Sequence, residues 1–158
     1  GNEDDLQAPY LYAFLGAPWK NAVVARSASS IYTPTPLGLP GNDDLGALSG
    51  WLVWNMLGVY PFNPGTPLFV IGSPQFEHAV MRRPSGDLRI DAPGAAEFVT
   101  GTTLNNNPLA RTWFVLPRAA TTLALDTAAL PDMNWGADAS AAPPSISSGT
   151  LADFGCVQ

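Results

Sequence analysis

Near residue 62 the apolar periodicity of this chain changes, and no other feature limits its fold as strongly. Before that point apolar residues recur at helical spacing; after it, short apolar runs alternate with turn residues. The sequence therefore reads as α+β, with helices first and an antiparallel sheet or sandwich element second.

In the helical part, the spacing predicts a first helix from about Leu6 to Leu15, with Asp4 and Asp5 as N-terminal acids, Pro9 confined to the first turn and Gly16 as a stop. A second helix is expected from Pro18 to Ile31, where Trp19, Val23, Val24, Ala28 and Ile31 fall at helical spacing. The stretch from Thr33 to Gly41 holds three prolines and two glycines, which remove donors and favour turns, so a loop is expected there. A third helix is expected from about Asp43 to Leu57, ended by Gly58. Leu45, Leu48, Trp51, Leu52 and Met56 form one broad face, and Val53 and Trp54 add apolar material opposite it. A helix apolar nearly all round expects neighbours on several sides.

After Pro61, strands are expected at Leu68–Ile71, Phe76–Arg82, Leu88–Asp91, Glu97–Leu104, Thr112–Leu116 and Thr121–Leu125. Ser85-Gly86-Asp87 and Asn105-Asn106-Asn107 mark the clearest turns. From Gly136 onward Ala, Ser, Pro and Gly dominate without a period. That composition predicts a mostly disordered tail with a weak hydrophobic anchor at Leu151 and Phe154.

Composition narrows the function. With 46% hydrophobic and 10% aromatic residues, the 158-residue chain holds enough apolar material for a packed core. Its net charge of -6 and lack of a basic run give no support for binding nucleic acid or anionic lipid, and favour a neutral or cationic partner. Only 13% of residues are charged, against roughly 25% in ordinary soluble domains, which points to surface covered by something outside this chain. A single cysteine, Cys156, gives no disulfide framework, and a single His78 gives no imidazole cluster for zinc. No apolar run approaches the roughly 18 residues of a membrane span. The start, Gly1-Asn2-Glu3, has neither an initiator Met nor a signal peptide, so sequence upstream of it is expected.

The strongest chemical signal is Gly41-Asn42-Asp43-Asp44, at the end of the Pro/Gly loop and the start of the most apolar helix. Acids at a helix N-terminus are ordinary caps, stabilised by free N–H groups and the helix dipole. Here, however, they are adjacent, follow a stiff loop and precede a helix too apolar for a surface, which is where catalytic residues sit on a rigid scaffold. Two carboxylates and an amide can hold a hard cation such as calcium, or one carboxylate can serve as general base toward water. A second acidic and amide cluster, Asn2 to Gln7, precedes the first helix and has the same capping explanation.

Together these segments resemble glycoside hydrolase family 92, the calcium-dependent, exo-acting α-mannosidases. The resemblance is carried by Gly1-Asn2-Glu3 with Gln7, Pro9-Tyr10-Leu11-Tyr12, Ala17-Pro18-Trp19-Lys20, Gly38 through Gly46, Trp51 to Trp54 and Leu57-Gly58-Val59-Tyr60-Pro61. It continues through Pro64-Gly65-Thr66-Pro67, Ile71-Gly72-Ser73-Pro74 and Asn134-Trp135-Gly136. The resemblance implies that residues 1–62 are the last helices of an (α/α)6 catalytic barrel and that 63–136 form a β-rich element packed on it; composition makes the remainder, 137–158, a flexible tail. It also implies a secreted enzyme, extracellular or periplasmic, acting on mannose-containing glycans by inversion. In that mechanism an acid protonates the glycosidic oxygen while a carboxylate roughly 6.5 to 9.5 Å away activates water on the opposite face.

By the same resemblance Asp44 matches the catalytic base, with Asp43 and Asn42 beside it; Glu3 lies near the leaving-group sugar and Gln7 near the calcium site. The candidate set is therefore Asp44 and Asp43 for catalysis, Asn2, Glu3 and Asn42 for substrate, and Gln7 and Asp44 for Ca2+. Asn2 stands where many α-1,2-specific members carry His, and Asn42 where some carry an acid. The family's general acid lies upstream of residue 1, so the expected partner is the upstream part of the same enzyme and the isolated chain is expected to be inactive. Trp19, Trp51 and Trp54 read as core, Trp113 and Trp135 as packing of the β element, and Glu77, His78, Arg82 and Arg83 as solvated strand positions. Two other readings stay open: a non-catalytic carbohydrate-binding or structural module, and a subunit completed by another chain.

Overall fold

The computed structural model describes residues 5–147 and 149–156. Expectations for Asn2, Glu3 and Asp4 lie outside these. The described residues form three layers: helices, a three-stranded sheet and a five-stranded sheet. This is a mixed α+β arrangement with few helices and mainly antiparallel strands.

The first helical segment is a 3-10 helix, Ala8–Leu15, shorter than the expected 6–15. Pro9 has no N–H to give in its first turn, and Gly16, at φ 66°, ends it by donating to the Tyr12 carbonyl. Helix α1 spans Trp19–Ser29 and stops two residues before the expected Ile31. Its last carbonyls are taken by serine hydroxyls: Ser29 Oγ donates to the Arg26 carbonyl and Ser30 Oγ to that of Ser27. Helix α2 spans Ala47–Leu57 rather than starting at Asp43, because Asp44, Leu45 and Gly46 all adopt positive φ (44°, 61° and 94°) and cannot continue a right-handed helix.

At its other end α2 turns straight into strand β1, Val59–Pro61, through Gly58 at φ 79°. Only glycine fits this elbow, since a Cβ there would lie 2.7 Å from the Pro74 backbone. The Gly58 carbonyl accepts the Gly72 N–H at 2.8 Å, tying the elbow to the far end of strand β2, Leu68–Ile71. Strands β3 (His78–Met81), β4 (Leu88–Asp91), β5 (Phe98–Leu104), β6 (Asn107–Pro108), β7 (Trp113–Val115) and β8 (Thr121–Ala128) follow. The sequence pattern missed β1 and β6, each of three residues or fewer.

The small sheet has the order β1-β2-β7, all antiparallel. The larger has the order β3-β4-β8-β5-β6, in which β4 and β8 pair in parallel, Leu88 opposite Thr121 and Ile90 opposite Leu123. That parallel pair departs from the wholly antiparallel sheet expected.

Strand β2 shows how the layers stack. All four of its residues are buried, because successive side chains point to opposite faces and both faces are covered. Phe69 and Ile71 join Leu88, Ile90, Val99, Phe114, Leu123 and Leu125 in a core between the two sheets. Leu68 and Val70 join Tyr10, Ala13, Trp51, Tyr60 and Trp113 in a core between the small sheet and the helices. Arg26 of α1 crosses the layers: its Nε donates to Ser73 Oγ at 2.6 Å, a guanidinium N–H donates to the Pro74 carbonyl, and Ser73 Oγ donates to the Glu97 carbonyl.

The segment expected to be a disordered tail is docked where it is described. The Ala141 carbonyl accepts both the N–H and the hydroxyl of Thr112, and Ala141 and Phe154 are buried. Phe154 serves as the expected anchor, whereas Leu151 is 69% exposed. Low local periodicity did not reveal this because the segment packs as irregular chain, with regular structure limited to a 3-10 turn at Ala139–Ala141 among the described residues.

Candidate functional site

The loop leading to the acidic cluster is held by its own backbone. Thr33 N–H donates to the Gly38 carbonyl at 3.0 Å, and Gly38 N–H donates to the Thr35 carbonyl. A Cβ at Gly38 would collide with the Thr33 carbonyl oxygen. This closed loop delivers Asn42, Asp43 and Asp44 to the start of α2.

Asp43 and Asp44 are used differently although they are neighbours. Asp43 is half-buried, and its carboxylate accepts the Ser49 N–H at 2.8 Å and the Ser49 hydroxyl at 2.9 Å. Its carbonyl accepts the Ala47 N–H at 2.7 Å. The capping role read from sequence thus falls to Asp43, across a left-handed turn. Asp44 and Leu45 are exposed in that turn, and Asn42 before it is exposed as well. Left-handed geometry in two non-glycine residues costs on the order of 1–2 kcal/mol each, offset here by the Asp43 to Ser49 and Asp43 to Ala47 bonds.

Tyr32 lies beside this cap. Its hydroxyl donates to the Leu48 carbonyl at 3.2 Å, and burial first, then the charge of Asp43, holds its phenol above the ordinary value. Its ring stacks on Trp51 with centroids 5.9 Å apart. The Trp51 indole N–H in turn donates to the Leu6 carbonyl at 2.9 Å. Leu6 and the acidic loop, far apart in sequence, are therefore joined through α2. Between them lies a cavity of about 120 Å³ lined by Asp5, Leu6, Ile31, Tyr32, Leu48 and Trp51 among others.

Gln7 is half-buried in this region; its carbonyl accepts the Tyr10 N–H at 2.9 Å and its side chain makes no capping bond to the 3-10 helix. Asn2 and Glu3 lie outside the described residues. A larger hollow of about 490 Å³, bordered by Arg26, Ser30, Tyr32, Thr33, Leu52 and Gln75, carries none of the candidate residues. Ser49, Tyr32 and the Trp51 to Leu6 bond were not found from sequence. A capping serine six residues beyond its acid matches no simple helix-start pattern, and nothing local reveals a bond spanning 45 positions.

The model of the glycosyl hydrolase family 92 catalytic domain matches residues 1–128. The chain belongs to glycosyl hydrolase family 92. A curated relative of this family 92 chain, an uncharacterized secreted glycosidase of Arthroderma benhamiae, is 30% identical over 165 residues, covering 97% of the chain and 21% of the relative. Among solved structures, a family GH92 α-mannosidase from Bacteroides thetaiotaomicron superposes with a TM-score of 0.85 at 28% identity, over 92% of this chain and 21% of that one. The complex of that α-mannosidase with mannoimidazole matches equally well, with a TM-score of 0.85 at 29% identity, over 92% of this chain and 20% of that one. A family GH92 inverting mannosidase from the same organism superposes with a TM-score of 0.81 at 28% identity, over 91% of this chain and 20% of that one. The chain thus spans about a fifth of the length of these relatives.

Proposed function

We propose that this family 92 chain supplies the general-base side of an inverting exo-α-mannosidase, with sequence beyond the chain supplying the general acid. The observation that carries the reading is the placement of Asp44, exposed on a left-handed turn at the tip of α2 beside the Asp43 to Ser49 cap. In this reading Asp44 takes a proton from a water molecule as that water attacks the anomeric carbon. The acid on the other face gives its proton to the departing glycosidic oxygen, so inversion follows from one displacement. Asn42, and Asn2 and Glu3 near the start of the chain, would contact the sugar, and Asp43 would support the base.

Calcium takes six to eight oxygen ligands, and the carboxylate of Asp44 and the amide oxygen of Gln7 are donors of that type. No group of three or more His, Cys, Asp or Glu side chains suited to a metal occurs among the described residues, so a calcium ion here would need oxygen ligands other than a cluster of their carboxylates. When bound, such an ion would polarise and orient sugar hydroxyls. The apolar helical face would be covered by the rest of the enzyme, a reading supported by the chain's share of its relatives' length. The relative described as secreted supports a location outside the cell or in the periplasm.

The test is Asp44→Asn in the enzyme as its organism makes it, assayed on an α-mannoside. A fall in kcat of about 10²- to 10⁴-fold with an unchanged melting temperature is expected, the range of a lost general base. Near-normal turnover would remove Asp44 from that role.

A further inference from the structure

We infer that Trp51 is a positioning residue that sets the spacing between the segment carrying Gln7 and the loop carrying Asp44. The inference rests on the function proposed above. Trp51 is 4% exposed, and as an apolar ring in an apolar helix it has an ordinary packing role. Its indole N–H, however, points to a backbone carbonyl outside the helix, that of Leu6, one residue before Gln7.

Two side chains of α2 hold the same segment in register. Trp51 takes the Leu6 carbonyl, and Asn55, one turn further along α2, accepts the Tyr10 hydroxyl at 3.3 Å. Both the grips and the gripped positions are four residues apart. Asn55 is itself fixed, its amide donating to the Ala25 carbonyl at 3.0 Å. If the Trp51 bond is lost, Tyr10 stays tied to Asn55 and the layers stay packed, but Leu6 loses its hydrogen bond to α2 and is held there by apolar contact alone, which loosens the position of Gln7 beside it. Gln7 is the residue proposed above to help hold the ion that orients the sugar hydroxyls. Trp51 therefore acts through the segment it holds, and its loss should weaken sugar binding while leaving the proton transfer at Asp44 largely intact.

Trp51→Phe keeps an aromatic ring and deletes the N–H. In the enzyme as its organism makes it, KM for an α-mannoside and the Kd for mannoimidazole, measured by calorimetry, should rise together by about 3- to 10-fold, the equivalent of one lost hydrogen bond. The kcat should stay within about twofold. Tyr32→Phe is the control: it removes a hydroxyl bond in the same cluster without touching Leu6, and should lower the melting temperature without raising KM. If Trp51→Phe does not fold, Trp51→benzothienylalanine keeps the volume of the indole and lacks its N–H. Unchanged KM and Kd in either folded Trp51 variant would overturn the inference, as would an equal rise in Tyr32→Phe. Asp44→Asn, run alongside, separates the two readings: its loss of kcat upholds the base whatever Trp51 does, and its normal kcat removes the base whatever KM does.

Discussion

The outer face of the five-stranded sheet and the outer face of the helices flank the same central sheet, yet they meet solvent differently. On the sheet side the outward residues are mainly polar: Arg89, Thr122 and Asp126 alternate with buried neighbours, and His78 pairs with Asp91 at 3.0 Å. On the helical side Leu11, Leu15, Val23, Ile31 and Val53 are exposed, Leu15 at 74% and Val53 at 56%. Helix α2 carries no charged residue at all. An alternation of buried and polar residues is how a sheet is finished against water, whereas a helix apolar on both sides is built to have neighbours on both. The sheet side is finished mainly in polar residues, and the helical side is not.

The comparison can be broken at several points. The largest effect should come from the core common to both sides: Phe114→Ala, between the two sheets and stacked on Phe69 at 5.6 Å, should cost about 3–5 kcal/mol in a denaturant titration. A smaller loss would mean that the sheets are less tightly joined than they look. Val53→Lys should cost within about 0.5 kcal/mol in the isolated chain but about 1–3 kcal/mol in the complete enzyme, where the same face is proposed to be covered. Equal costs in the two settings would show that the helical face is not an internal one. Val80→Lys, on the sheet side at 47% exposure, should cost within about 0.5 kcal/mol in both settings.

Alkaline pH should separate the sides without mutation. The chain's four tyrosines, Tyr10, Tyr12, Tyr32 and Tyr60, all lie in the helices, the loop after α1 or the small sheet. Burial raises the phenols of Tyr10, Tyr32 and Tyr60 above the ordinary 10.0. With the folded value above the unfolded one, the unfolded chain releases protons first, so stability is full below pH 10 and falls as pH rises beyond it. Amides of α1 should then exchange before those of β8, and Tyr10→Phe should flatten the fall; simultaneous exchange would contradict this.

How much of this was legible in the sequence depends on how local the cause was. Strands Leu68–Ile71 and Leu88–Asp91 were read to the residue because turn residues bound both ends. The late start of α2 was not, since Asp44 and Leu45 gave no hint of positive φ; that geometry is imposed by the Asp43 carboxylate reaching Ser49. The parallel pairing of β4 with β8 depends on three intervening strands and leaves no local trace. In the candidate site, the acidic loop was visible as adjacent carboxylates after a Pro/Gly stretch. Trp51 was read as core, which its burial supports; its bond to Leu6 is a property of the assembled layers.

Gly58 carries a mechanical consequence. Because it joins α2 to β1 with no intervening loop, the eleven-residue helix is a rod about 16 Å long whose foot is set in the central sheet and whose tip bears the turn of Asp44. A tilt of about 4° at the foot would shift the tip by about 1 Å, an error that can cost a reaction on the order of 10²-fold. The stiffness of the central sheet would then govern how accurately the carboxylate of Asp44, in the role proposed for it, is aimed at the far end of the lever.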